Sequence, residues 1–269
     1  MLSQEVESFL DPFILEGRPF FSRLGMGTSH FPDFATCEQA IRASGTEIVT
    51  VALRRIDFEH REHCPLLDLI DEMGLTVLPN TAGCFTAHEA VLTAELSREA
   101  LQTNWVKLEV IGDERTLFPN NQELLVAARE LVREGFAVFP FCSDDLIVCQ
   151  KLQDIGCAAV MPFGSPIGTG RGIGNPYHLE LIREHIQIPL IIDAGIGTAS
   201  DAAIAMELGA DAILLNMAIA RSQHPVLMAE AMKEGCQGGR KAYLAKRMPK
   251  SRYAVASSPK IGRIQCSKC

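Results

Sequence analysis

The stretch "NWVKLEVIGD" (104–113) sets a lysine and a glutamate into an otherwise apolar run. Burying an unpaired charge costs on the order of several kcal/mol, so a sequence places one there for a reason. If 105–112 is a β-strand, its side chains alternate between two faces. Trp105, Lys107 and Glu109 then share one face, and Val106, Leu108 and Val110 share the other. The apolar face suits a layer of helices, which leaves the charged pair on the opposite side. A desolvated lysine can act as an amine nucleophile on a carbonyl. Glu109, roughly 6–7 Å further along the strand, is within reach of the same substrate and able to move protons. The other reading is an interior Lys–Glu ion pair, since a close carboxylate raises a lysine pKa.

A second group of residues points to an anion. "LIIDAGIGTASDAA" (190–203) ends a strand-like run on Asp193, follows it with Gly195 and Gly197, and opens a helix capped by Thr198 or Ser200. Backbone N–H groups at a helix start favour a phosphate. The next strand-like run brings Asn216 in "LLNMAIA" to a neighbouring position. "GSPIGTGRGIGNP" (164–176) holds five glycines but lacks the GKS/T ending of a nucleotide P-loop. Gly168 or Gly170 would allow close backbone approach to a phosphate; a lid and a plain mobile loop are both open readings. His60, His63 and Cys64 in "FEHREHC" and the terminal Cys266–Cys269 "CSKC" lack the further ligands a metal site needs, so no metal is predicted.

These residues need a scaffold. Eight strand-like runs, at 23–30, 47–53, 76–83, 105–112, 137–144, 158–165, 189–197 and 211–220, are each followed by a segment of helical period. Gly45, Gly74, Gly135, Gly156 and Gly209 stand where helices should stop. Alternating β and α segments imply a parallel sheet, and eight units fit a closed (β/α)8 TIM barrel better than an open doubly wound sheet. The expected organisation is α/β, one barrel domain over 1–247, with a basic, mobile C-terminal tail over 248–269. In a barrel, Lys107 and Glu109 point inward near the C-terminal mouth, where barrel enzymes keep their chemistry.

The bulk properties remove other classes. The chain has 269 residues, 47% hydrophobic and 22% charged, with a net charge of −8. That balance argues against a general nucleic-acid binder. The N-terminus lacks the basic and apolar regions of a signal peptide, and no apolar run is long enough to span a membrane. Nine cysteines in such a chain read as reduced thiols of a cytoplasmic protein. Cys37, Cys84, Cys149 and Cys157, beside small or apolar residues, read as core.

Longer motifs carry a family resemblance. "PNTAGCFTAHEAV" (79–91), "NWVKLEVIGDERTLFPN" (104–120), "CAAVMPFGSPIGTGRGI" (157–173), "DAGIGTASDAAIAMELGADAILLN" (193–216) and "RYAVASSP" (252–259) resemble thiazole synthase of bacterial thiamine biosynthesis. The resemblance implies a barrel that joins 1-deoxy-D-xylulose 5-phosphate, dehydroglycine and sulfur from a thiocarboxylated sulfur-carrier protein. By motif, Lys107 corresponds to the imine-forming lysine, and Glu109 and Asp193 to the acid–base pair. Gly168, Ala194, Gly195, Asn216 and Met217 correspond to the sugar-phosphate-binding positions. Met217 departs from the threonine of that pattern, and "KIGRIQCSKC" extends the usual tail. The resemblance implies no cofactor, and a homo-oligomer (a tetramer) with the carrier docked at the barrel mouth. Two other functions compete: a Schiff-base aldolase-type lyase acting on a sugar phosphate, and a phosphate-binding barrel without turnover.

Overall fold

The structure is a computed structural model and describes residues 11–52 and 64–258. A hairpin of β1 (Phe13–Leu15) and β2 (Arg18–Phe20) opens the chain. There follow β3 (Leu24–Gly27), α1 (Phe34–Ser44), β4 (Ile48–Ala52), α2 (Pro65–Met73), β5 (Thr76–Asn80), α3 (Ala87–Leu101), β6 (Trp105–Leu108) and α4 (Asn121–Arg133). The second half runs β7 (Ala137–Cys142), α5 (Leu146–Ile155), β8 (Met161–Pro162), α6 (Pro176–His185), β9 (Ile191–Asp193), α7 (Ala199–Glu207), β10 (Ala212–Leu215), α8 (Met217–Ala220) and α9 (Pro225–Ala245). Residues 246–258 form no helix or strand and are exposed.

Strands β3 to β10 make one parallel sheet in the order β8-β7-β6-β5-β4-β3-β10-β9. Its ends meet through a parallel bridge between Val160 and Leu190, with Val160 N donating to Pro189 O at 2.9 Å and Ile191 N to Val160 O at 3.0 Å. The sheet is therefore a closed (β/α)8 barrel, as the eight-unit pattern predicts. The five predicted helix-ending glycines, Gly45, Gly74, Gly135, Gly156 and Gly209, all have positive φ, the left-handed conformation that closes a helix without Cβ strain.

Apolar residues divide between two layers. Val106, Leu108 and Val110 face outward with Leu124, Leu131, Val138 and the buried faces of the helices. The four cysteines read as core, Cys37, Cys84, Cys149 and Cys157, are buried in this layer. Trp105 faces inward instead, among Ile48, Leu78, Phe139, Met161 and Ile191. The lower interior is sealed by the hairpin, whose Phe13, Leu15 and Phe20 join that inner cluster. Arg18 caps the plug, its guanidinium over the rings of Phe20 (5.5 Å) and Trp105 (5.7 Å) and bonded to Thr76 Oγ1 at 3.1 Å.

The hairpin is absent from the sequence-based expectation, and the expected strand runs are longer than the paired strands, most plainly at 158–165, where only Met161–Pro162 is strand, and at 211–220. The run 211–220 pairs only over Ala212–Leu215, and Met217–Ala220 is a short helix. Its continuous apolar character hid the change, because periodicity cannot separate a buried strand from a short buried helix.

Candidate active site at the barrel mouth

A cavity of about 550 Å³ opens at the C-terminal ends of the barrel strands. All eight residues singled out in the sequence, Lys107, Glu109, Gly168, Asp193, Ala194, Gly195, Asn216 and Met217, line it.

Lys107 and Glu109 leave β6 on its inner face, as strand alternation requires. Glu109 is held by Thr81: its N–H donates to Thr81 Oγ1 at 2.7 Å, and the Thr81 hydroxyl donates to its carbonyl at 2.8 Å. A side-chain hydroxyl thus replaces the strand ladder where β6 ends. Lys107 Nζ donates to Glu109 Oε1 at 3.0 Å and lies 2.6 Å from Asp193 Oδ2 at the end of β9. The three residues are 6%, 6% and 4% exposed. The Asp193 contact is a charge contact off hydrogen-bond alignment, which leaves its Oδ2 without a directed partner among the described residues.

Burial pulls the Lys107 ammonium down, but Asp193 and then Glu109 outweigh it and hold the group above the usual lysine range. Burial pushes the Asp193 carboxyl up to about 6, against the attraction of Lys107 and with added repulsion from Glu109. The resting site is therefore an ammonium between two carboxylates, one of which takes a proton far more readily than a free aspartate. Both readings of the charged strand meet here: the ion pair is real, and it lies inside a cavity.

The opposite wall is backbone. Ala194 and Gly195 have φ of 72° and 86°, and a Cβ on Gly195 would stand 2.2 Å from Ser165 N. The glycine-rich loop after β8 is stitched to this wall: Gly172 N donates to Gly195 O at 2.8 Å, and Ser165 Oγ to Gly172 O at 2.7 Å. A Cβ on Gly197 would meet Gly170 O at 2.4 Å. At the start of α7, Asp201 Oδ2 accepts from Gly197 N at 2.9 Å and Thr198 N at 3.1 Å. Those two amides, expected to be free for a phosphate, are occupied by a carboxylate.

Asn216 stands between β10 and α8. Its Nδ2 donates to Ser29 Oγ at 2.5 Å, and among the described residues its buried Oδ1 has no hydrogen-bond partner. A Cβ on Gly27 would lie 2.6 Å from Asn216 Cβ, so the first barrel strand must end in glycine for Asn216 to fit. Met217 Sδ lies 3.0 Å from the position a Cβ on Gly168 would take.

Thr28, Ser29, Asn80 and Arg221 also line the cavity and escaped the sequence reading. Ser29 follows the end of β3 in "GMGTSH", a position that marks a barrel mouth residue; Arg221 carries no such signal. His60, His63, Cys266 and Cys269 lie outside the described residues, and Cys64 is the N-cap of α2. Among the described residues, no group of three or more His, Cys, Asp or Glu is placed to hold a metal ion, and no helix is long and apolar enough to cross a membrane.

Known proteins resemble this chain in sequence and fold. Residues 14–259 match the family described as thiazole biosynthesis protein ThiG. A thiazole synthase of Sorangium cellulosum is 57% identical over 245 residues, covering 91% of this chain and 94% of that protein. A thiazole synthase of Geobacter sulfurreducens is 56% identical over 254 residues, covering 94% and 98%. Among solved structures, BexX of Amycolatopsis orientalis, in complex with CysO, superposes with a TM-score of 0.80 at 34% identity, covering 90% of this chain and 99% of that one. Family match, sequence identity and barrel agree over the same span: the chain belongs to the ThiG family of thiazole-forming enzymes of thiamine biosynthesis.

Proposed function

We propose that the chain is a thiazole synthase whose cavity binds 1-deoxy-D-xylulose 5-phosphate and whose Lys107 forms an imine with the sugar ketone. The observation that carries this reading is a buried lysine held within 3.0 Å of two carboxylates in a cavity walled by glycines. Lys107 is protonated at rest, so its proton must leave before the nitrogen can attack. Asp193, its proton affinity lifted by burial, is the acceptor. The free amine adds to the ketone carbon, and the carbinolamine loses its hydroxyl as water when an acid returns the proton. Glu109, hydrogen-bonded to the same nitrogen, then serves as the base that removes a proton beside the imine carbon.

Gly168, Ala194, Gly195, Asn216 and Met217 hold the sugar phosphate in this proposal, the positive-φ backbone at 194–195 letting the chain approach the ligand closely. The family resemblance makes dehydroglycine the second substrate and a thiocarboxylated sulfur-carrier protein the sulfur donor. The likeness to BexX, solved with CysO bound, supports a protein partner. A Schiff-base aldolase would share the lysine step; family membership favours thiazole formation.

Borohydride treatment with 1-deoxy-D-xylulose 5-phosphate, followed by intact mass and peptide mapping, tests the reading. The expected result is a reduced adduct on Lys107. An unmodified chain, under conditions where calorimetry shows the ligand bound, overturns the imine. Thiazole formation that needs the thiocarboxylated carrier then separates this enzyme from an aldolase.

A further inference from the structure

We propose that Arg221 neutralises the phosphate of the sugar phosphate in this cavity. The inference rests on the function proposed above and assigns the side chain that reads the charged end of the ligand.

A phosphate ester brings up to two negative charges into a partly enclosed site, and such charge needs a cation or several directed donors. Four features of the cavity narrow the source. Lys107 is committed to Glu109 and Asp193. It is also the nitrogen that must reach the ketone, and the phosphorus lies several bonds away from that carbon, so one lysine cannot serve both ends. The amides at the start of α7 are bound to Asp201, whose carboxylate repels a second anion there. Gly168, Gly170, Gly195 and Gly197 supply backbone dipoles and no charge.

Among the described residues, Arg221 is the other lysine or arginine lining the cavity. It follows α8, one turn beyond Met217, with its N–H bonded to Met217 O at 3.0 Å. Among the described residues its guanidinium makes no ion pair or hydrogen bond and is exposed at the rim. The side chain therefore has its full donor set available on the wall shared by Gly168 and Met217, away from Lys107. A planar guanidinium matches two phosphate oxygens at once.

The test compares two ligands, 1-deoxy-D-xylulose 5-phosphate and unphosphorylated 1-deoxy-D-xylulose, by titration calorimetry on the full chain and on Arg221→Met and Arg221→Lys. An exposed rim side chain can be replaced without disturbing the core, and a matched melting temperature checks this. Loss of a charged hydrogen-bonding partner predicts a dissociation constant for the phosphorylated sugar raised by roughly tenfold to a hundredfold in Arg221→Met. Arg221→Lys should fall between, and the unphosphorylated sugar should bind all three proteins alike. Unchanged affinity for the phosphorylated sugar, or equal weakening for both ligands, overturns the assignment. Calorimetry needs no imine. A phosphate-selective loss at Arg221 without borohydride trapping at Lys107 would therefore overturn the proposed chemistry and sustain the phosphate assignment.

Discussion

Lys107 Nζ on β6 lies 2.6 Å from Asp193 Oδ2 on β9, so two strands that do not pair in the sheet are joined through the barrel interior by a charge contact. Its weight in stability and its part in the proposed chemistry can be separated by substitution.

Lys107→Met leaves two buried carboxylates without their cation. Removing one partner of a buried ion pair costs about 3–5 kcal/mol. Urea denaturation at neutral pH should show a loss of that order, and the borohydride adduct should vanish. The stability loss should shrink in acid, as the stranded carboxylates take up protons. A loss that stays constant from neutral to acid pH would argue against the buried charge cluster.

The raised affinity of Asp193 for its proton fixes the sign of a pH effect. Between the ordinary value of 3.8 and about 6, the folded chain binds this proton and the unfolded chain releases it. Stability from this group is therefore present at low pH and lost as pH rises through that window. Relative to Asp193→Asn, the wild type should lose on the order of 3 kcal/mol across it and stay level above. Denaturation curves at several pH values read this difference directly; the opposite slope would show that the lysine's attraction outweighs burial.

Two glycines with positive φ make a controlled pair. Gly195→Ala would drive a Cβ to 2.2 Å from Ser165 N, whereas Gly17→Ala in the hairpin turn meets nothing within 4 Å. The strained backbone costs each about 1 kcal/mol, and overpacking adds roughly 1–3 kcal/mol at Gly195 only. Chemical denaturation should rank them in that order, and Gly195→Ala should also weaken sugar-phosphate binding.

Below the barrel, Arg240 on α9 holds Asp11 through Nε at 2.5 Å and Nη2 at 2.9 Å, and Arg23 holds it at 2.8 Å. The hydrogen bond from Arg240 is the main reason the Asp11 carboxyl sits below its usual range. Arg240→Ala should cost about 1 kcal/mol, the scale of a partly exposed pair. A depressed carboxyl lends stability above its unfolded value of 3.8 and loses it as pH falls. The gap between wild type and variant in thermal melts should therefore close in acid and narrow in high salt.

The barrel was legible because strands covered on both faces read as short apolar runs, and helix-ending glycines punctuated them. Lys107 and Glu109 stood out for the same reason: a charge in such a run has only the interior to face. Capping was legible too: Thr198, one of the two caps read from the sequence, is the N-cap of α7. The hairpin was not, since strands of three residues are too short for alternation to declare itself. Its Glu16-Gly17 turn, both residues at positive φ, was the available signal. Asn80, the last residue of β5, and Arg221, just after α8, were hidden because a polar residue at the end of a strand or short helix is ordinary until the closed sheet carries it to the mouth. Asp201 shows the converse: its helix start was correctly read, but only the fold reveals that its own carboxylate occupies the amides.

The plug made by Phe13, Leu15 and Phe20 gives the barrel a floor. With that end filled by side chains, the mouth is the way in. In the function proposed above, a ligand joined to Lys107 would lie deeper than anything that follows it. A short hairpin at the far end of the barrel thus gives the cavity its depth.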